Sequence, residues 1–344
     1  MPVTRTPAVT VVVVTHTAPV TLPVVLSALA AQAPPDLVTV LFTGSTGTPA
    51  HDEARRAAAA AGAQLVETGT ELRIGAVRVW LVDHLATTAP HLTHVAFLDD
   101  DCPPRPGWWT AVHDVAAGGN VLAFGPRYPA HPKGAGGRIR AWEAESSAKI
   151  TAARAVPTRI RHAPPMMAAG GNMLVDLPTA RSHRITAPAF TRGAFEDVDY
   201  QLRLVAAGFA GRICFDPRMS TDHHDHLGTG ALLRKSALSG QGLARCRTLH
   251  GTRLWRLSRW RPYRTLVRTL RETVRPTCRT GELPWNLRVL ALVRATVVAA
   301  AYTITRLHQI ASLHTRGRDR QTPPLHGDAA CGMQLSGAPI TPPE

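Results

Sequence analysis

The sequence predicts an α/β fold with a mostly parallel sheet covered by helices and a basic helical extension behind it. Three observations predict it. Short β-branched runs alternate with Ala-rich helical stretches from the N-terminus onward, the pattern of strands joined by crossover helices. A compact apolar strand, His94-Val95-Ala96-Phe97-Leu98, stops abruptly in Asp99-Asp100-Asp101. Finally, the stretch from Arg245 to Arg320 holds seventeen Arg against Glu272, Glu282 and Asp319.

In order, Val9 to Thr15 is a first buried strand and Pro23 to Gln32 a first helix. Leu37 to Phe42 is a second strand. Asp52 to Ala61 is a helix whose Asp52 and Glu53 suit its positive end. Gln64 to Glu67 makes a short third strand, and Leu72 to Leu85 has apolar residues at helical spacing. After the triple aspartate, Pro103, Pro104, Pro106 and Gly107 force a turn before a helix beginning at Trp108. Val121 to Phe124 is a strand, and the Gly/Pro-rich stretch Pro129 to Gly137 is a loop over the site, able to act as a lid. Asn172 to Val175 and Arg212 to Phe215 are strands; Glu196 to Ala207 is a helix ended by Gly208. The domain plan is a catalytic domain over 1–244, a basic helical extension over 245–320 and a Pro-rich, disordered tail over 321–344.

The 344 residues suffice for one large core, and the formal net charge of +15 sits almost wholly in the extension. Such a block can meet nucleic acid, anionic lipid or an anionic substrate, and charge alone does not choose among them. Cys102, Cys214, Cys246, Cys278 and Cys331 form no CxxC pair and no framework, which suits a reducing cytoplasm. The apolar run Ala8 to Val14 is too short for a signal segment, so export is not expected.

Three carboxylate clusters carry the chemistry. Adjacent aspartates repel and raise one another's pKa unless a cation sits among them. Mg²⁺ or Mn²⁺ prefers hard oxygen ligands, which Asp99 and Asp101 can offer while Asp100 points elsewhere. A strand's carboxyl end is also where α/β sheets bind ligands. Glu196 and Asp197 fall in the first turn of a helix, where Asp197 can take a proton from an acceptor hydroxyl. Asp222-His223-His224-Asp225-His226 is dense in ligand types but lacks thiolates, so one imidazole completing an oxygen-rich shell fits better than structural zinc.

From about Val9 to Cys246 these residues, in this order, resemble family 2 glycosyltransferases with the GT-A fold, whose sheet is Rossmann-like. Ile74-Gly75-Ala76-Val77-Arg78, then Phe97 to Asp101 with Pro104 and Gly107-Trp108, look like that family's donor-site helix and DxD strand. Gly170-Gly171-Asn172-Met173 and Glu196-Asp197 resemble its acceptor-side strand and ED motif, and Asp222 to His226 with Leu232 to Lys235 its closing histidine segment. The resemblance implies an inverting, metal-dependent hexosyl transfer from a nucleotide-diphosphate sugar. Asp197, with Glu196 beside it, would be catalytic. Asp99 and Asp101 would hold Mg²⁺ or Mn²⁺, with His224 as added ligand and His226 the alternative. The donor would be met by Thr15, Arg78, Asp99, Asp100, Asp101, Arg234 and Lys235, and the acceptor by Gly171, Asn172 and Trp108. One departure is that the second strand ends in Phe42-Thr43-Gly44-Ser45 without the family's acidic pair, so Thr43, Glu67 or Asp83 would have to meet the nucleotide base.

A nucleotidyltransferase shares the carboxylate-bound metal, but Val11 to Val20 lacks the expected Gly/basic triphosphate loop. A nucleic-acid-binding module would use Trp255 and Trp260 among the arginines yet leave the carboxylates idle, so no nucleic-acid partner is expected. The acceptor, whether a glycan, a lipid-linked or a natural-product molecule, is not legible. Val289 to Leu307 carries Arg294 at its middle between Arg288 and Arg306, which favours an amphipathic helix over a spanning one. Such a helix packs on the catalytic domain, makes a homodimer contact, or lies on the inner face of the membrane as a peripheral contact.

Overall fold

The computed structural model describes residues 7–17, 20–130, 132–141, 158–159, 170–190, 194–224, 227–251, 261–274 and 284–319. The described residues up to Arg306 belong to one compact unit, and those from Leu307 to Asp319 to another.

The strands are β1 (Val9–Thr15), β2 (Val38–Phe42), β3 (Gln64–Glu67), β4 (His94–Asp99), β5 (Leu122–Phe124), β6 (Arg127–Ala130), β7 (Thr158–Arg159), β8 (Asn172–Asp176), β9 (Ile213–Phe215) and β10 (Thr221–His224). Eight of them form one mixed, mostly parallel sheet in the order β3-β2-β1-β4-β8-β5-β9-β7, with β8 and β7 antiparallel to their neighbours. A second, two-stranded sheet pairs β10 with β6 in parallel. The Rossmann-like α/β architecture is the one the sequence predicts.

Helices cover both faces, because β1 alternates its buried side chains between two cores. Val9, Val11 and Val13 join Leu22, Leu26 and Leu29 of α1 (Leu22–Ala30), Ala54 and Ala58 of α2 (Pro49–Ala60), and Trp108, Ala111 and Val112 of α4 (Trp108–Ala117). Val12 faces the other way, onto Val77, Leu81 and Leu85 of α3 (Ile74–Thr88), Leu177 and Ala180 of α6 (Leu177–Ser182), and Tyr200 and Leu204 of α7 (Glu196–Ala206). Strands buried on both faces read as near-continuous apolar runs, which made them legible. The chain winds outward from β1 through β2 and β3, then crosses to β4 on β1's other side. The carboxyl ends of β1 and β4 therefore flank a topological switch point, the place where open α/β sheets bind ligands.

Two expectations are corrected. Pro129 to Gly137 is no loop: β6 runs to Ala130, and residues 134–141 are helical and count here as α5. Proline is tolerated in β6 because β10 is its one partner among the described strands. The boundary expected after residue 244 falls inside α8 (Thr229–His250). Gly240 lets α8 press on α10 (Trp285–Asp319), where a Cβ would stand 2.9 Å from Ala301 Cβ and 3.0 Å from Tyr302 N. Gly242 does the same against Ala194 and Phe195, with a Cβ 2.7 Å from Ala194 O. Helix α9 (Arg261–Val274) and α10 thus belong to the same unit as the sheet as far as Arg306. The tail from 320 and Trp255 and Trp260 lie outside the described residues.

Candidate functional site

At the end of β4 the three aspartates diverge. Asp99 Oδ2 lies 3.7 Å from Arg127 Nη1. Asp100 turns to Thr15 at the end of β1, which hydrogen-bonds its carboxylate. Burial pushes Asp100 up to about 7; the Thr15 bond opposes this, and the charges of Asp101 and Asp99 add to it. Asp101 turns to His223, whose Nε2 is 3.5 Å from Oδ2, and accepts the Cys102 thiol on Oδ1 at 3.3 Å. Burial pushes Asp101 up, but His223, Cys102 and Arg127 more than offset it and hold this carboxyl at about 2.

The two-stranded sheet supplies the basic partners. Its register sets Thr221 against Arg127 and His223 against Pro129, and the His224 N–H donates to the Asp101 carbonyl at 2.9 Å. Side chains alternate along a strand, so His223 faces Asp101 and His224 points to the opposite side of β10. The imidazole beside the aspartates is therefore that of His223, where His224 was expected; His226 lies outside the described residues. Arg127 is the residue that sequence reasoning missed. Burial works against its charge, but Cys102, Asp99, Asp197 and Asp101 around it raise its pKa. A lone Arg after Gly125-Pro126 carries no spacing signal that could have found it.

Gly170 and Gly171 join this cluster to the start of α7. The Asp99 N–H donates to Gly171 O at 3.2 Å, and a Cβ on Gly171 would stand 2.5 Å from Asp99 Cγ. Gly170 N donates to Asp197 Oδ2 at 2.8 Å, and Val198 N donates to Oδ1 at 2.8 Å. Both carboxylate oxygens are thus oriented by backbone. Ala194 and Phe195, just before Glu196, sit at φ 67° and 71°, a conformation costly for residues with a Cβ. Such strain persists only where surrounding packing enforces it, and Gly242 of α8 lies against these two residues.

Other expected site residues have inward partners. Glu196 Oε1 accepts Arg78 Nη1 at 2.8 Å, and the two side chains are only 8% and 3% exposed. Burial and Asp197 raise the Glu196 pKa against the pull of Arg78. Arg78 thus anchors the head of α7. Trp108 and Asn172, expected to meet an acceptor, are fully buried: Trp108 Nε1 donates to Asn172 Oδ1 at 2.9 Å, and Asn172 Nδ2 to Met219 O at 2.6 Å. They tie α4, β8 and the β9–β10 connection together. The Thr43 side chain is buried, Glu67 pairs with His51 at 2.5 Å, and Asp83 is exposed on α3. Arg234 and Lys235 lie exposed on α8.

No family model and no curated protein sequence matches the chain. Solved structures do. Mycobacterium tuberculosis glucosyl-3-phosphoglycerate synthase with Mn²⁺, uridine-diphosphate-glucose and phosphoglyceric acid is 19% identical at a TM-score of 0.48, over 71% of this chain and 80% of that one. The same synthase with Mg²⁺ and uridine-diphosphate is 18% identical at 0.47, over the same shares. At these scores the likeness carries no weight for donor, acceptor or metal.

Proposed function

We propose that this chain is a metal-dependent GT-A glycosyltransferase that moves a sugar from a nucleotide-diphosphate donor to an acceptor hydroxyl with inversion. One observation carries the reading: around Arg127 and Gly170-Gly171, Asp99 and Asp101 at the switch point converge with Asp197 at the head of α7. Ligand-capable atoms of Asp101, His223 and Cys102 lie within 4.8 Å of one another. The Cys102 thiol is fully buried, and burial and Asp101 push its pKa well up against the pull of Arg127, so it stays protonated. Oxygen and imidazole donors remain, with Asp99 nearby, a set that suits Mg²⁺ or Mn²⁺ better than zinc. When bound, the ion neutralises charge on the departing diphosphate.

The chain's own residues do the rest. Arg127 adds fixed positive charge beside the ligands. Asp197, oriented by two N–H groups, accepts the acceptor's hydroxyl proton as its oxygen bonds the anomeric carbon and the bond to diphosphate breaks. Arg78 holds Glu196, and with it the first turn of α7, in place.

The test is Asp197→Asn, assayed with a panel of sugar nucleotides and Mn²⁺. Turnover should fall by about two to four orders of magnitude while nucleotide-diphosphate binding barely changes. Near-normal turnover, or retained anomeric configuration in the product by NMR, would make Asp197 a helix-terminal charge and end the inverting scheme.

A further inference from the structure

We infer that α9 and α10 form a docking surface for an anionic lipid bilayer. The two helices lie antiparallel: Tyr263 Oη is 2.7 Å from Thr303 Oγ1, and Thr273 Oγ1 donates to Arg288 O at 3.5 Å. Leu287, Ala291, Ala295, Ala299 and Tyr302 of α10 are buried, on one face. The opposite face is apolar as well. Trp285, Val289, Val293 and Ile304 are 62%, 38%, 41% and 56% exposed. At 100° per residue they share one arc about 28 Å long.

Helix α9 repeats this arrangement. Val267, Leu270 and Val274 are exposed along one strip, and the exposed Arg264, Arg268 and Arg271 run beside it. An apolar strip edged by arginine is the composition of a helix lying in the plane of a membrane interface.

Composition and length alone would let the segment Trp285–Ser312 cross a membrane, with a mean hydropathy of 1.7 over an 18-residue window. Its inward face is already committed, since Gly240 of α8 packs on Val298 O and Ala301. Crossing would strip that face from the domain, whereas lying flat keeps it and covers the outward face. Charge selects the occupant. The seventeen Arg between Arg245 and Arg320, against three acids, attract an anionic headgroup layer. They would repel the same surface on a second copy of the chain.

The test is flotation of the full chain with vesicles of phosphatidylcholine alone or with phosphatidylglycerol, at low and high salt. Binding should require phosphatidylglycerol and weaken as salt rises. Leu270→Glu with Val274→Glu should lower partitioning about tenfold or more by removing buried apolar area. Arg264→Gln with Arg271→Gln should lower it while leaving the melting temperature unchanged. Equal binding to neutral vesicles would overturn the inference. So would wild-type partitioning by both double variants. A dimer that the apolar variant dissociates, in protein that binds no vesicle, would assign the surface to a second copy. Partitioning needs no turnover, so failure here leaves the glycosyltransferase reading standing, and the reverse holds.

Discussion

Gly171→Ala tests the site where it is tightest. The added Cβ would stand 2.5 Å from Asp99 Cγ and closer still to Oδ2, with Arg127 Nη1 at 3.0 Å, whereas ordinary contact begins at 3.4 Å. The Asp99 carboxylate is the end of a side chain and can retreat, by about 1 Å. The backbone around it has no reason to move, so the fold should survive at a cost of about 1 to 3 kcal/mol, as for other overpacked sites. Function should not. A displacement of about 1 Å at a positioned group costs on the order of a hundredfold in rate. Calorimetric titration of uridine, guanosine and adenosine diphosphates with Mn²⁺ should show the loss as weakened metal-dependent binding, beside a melting curve that remains cooperative. Wild-type affinity and turnover in a folded Gly171→Ala protein would mean that Asp99 takes no part in the site.

Asp101→Asn should abolish metal-dependent nucleotide binding without unfolding the protein, and EDTA should inactivate the wild type until Mg²⁺ or Mn²⁺ is restored; diphosphate affinity unchanged by either would remove the metal from the scheme. His223→Ala should raise the Mn²⁺ concentration for half-maximal activity about tenfold or more, while His224→Ala leaves it near wild type; the reverse ranking would return the ligand role to His224. Glu196→Ala strands the Arg78 guanidinium without its carboxylate in a buried site. It should cost about 3 to 5 kcal/mol, a drop near 10 °C in Tm that calorimetry would detect. A drop within a degree or two would show that water reaches Arg78.

From β1 to α4 the structure follows the sequence to within a residue or a few, because strands buried on both faces and helices with one apolar face leave periodic traces. The stretch from 129 to 137 misled because Pro and Gly mark loops by composition, while an edge strand accepts Pro129 and Gly134 takes φ +70° at the start of α5. At the site, the carboxylates and the helix bearing Asp197 were legible as motifs. The choice between His223 and His224 was not, since a one-residue shift in strand register exchanges their faces. Nor was the fate of Trp108 and Asn172: a polar group beside a motif reads as a ligand contact until a partner such as Met219 O is seen to satisfy it.

What separates the acids of this chain is the ownership of their basic partners. Glu196 has Arg78, Asp199 has Arg203 and His250 at 2.8 Å each, Asp222 has Arg105 at 2.6 Å, and Asp216 has Arg218 at 2.8 Å. These pairs lock turns and helix ends. Asp99, Asp101 and Asp197 instead gather around one guanidinium, that of Arg127, with His223 also beside Asp101, and Asp100 turns to Thr15 while the charges of its two neighbours still push it up. A carboxylate with its own partner has spent its electrostatic capacity on the fold. Three gathered around one guanidinium retain net negative charge at the end of β4 and the head of α7, which a divalent ion can still lower. Sequence motifs mark both kinds alike, because DxD and ED describe spacing and not pairing. Spacing gathers the acids; it is the placement of Arg78 and Arg127 on separate elements that divides them into those that hold the structure and those left to hold a ligand.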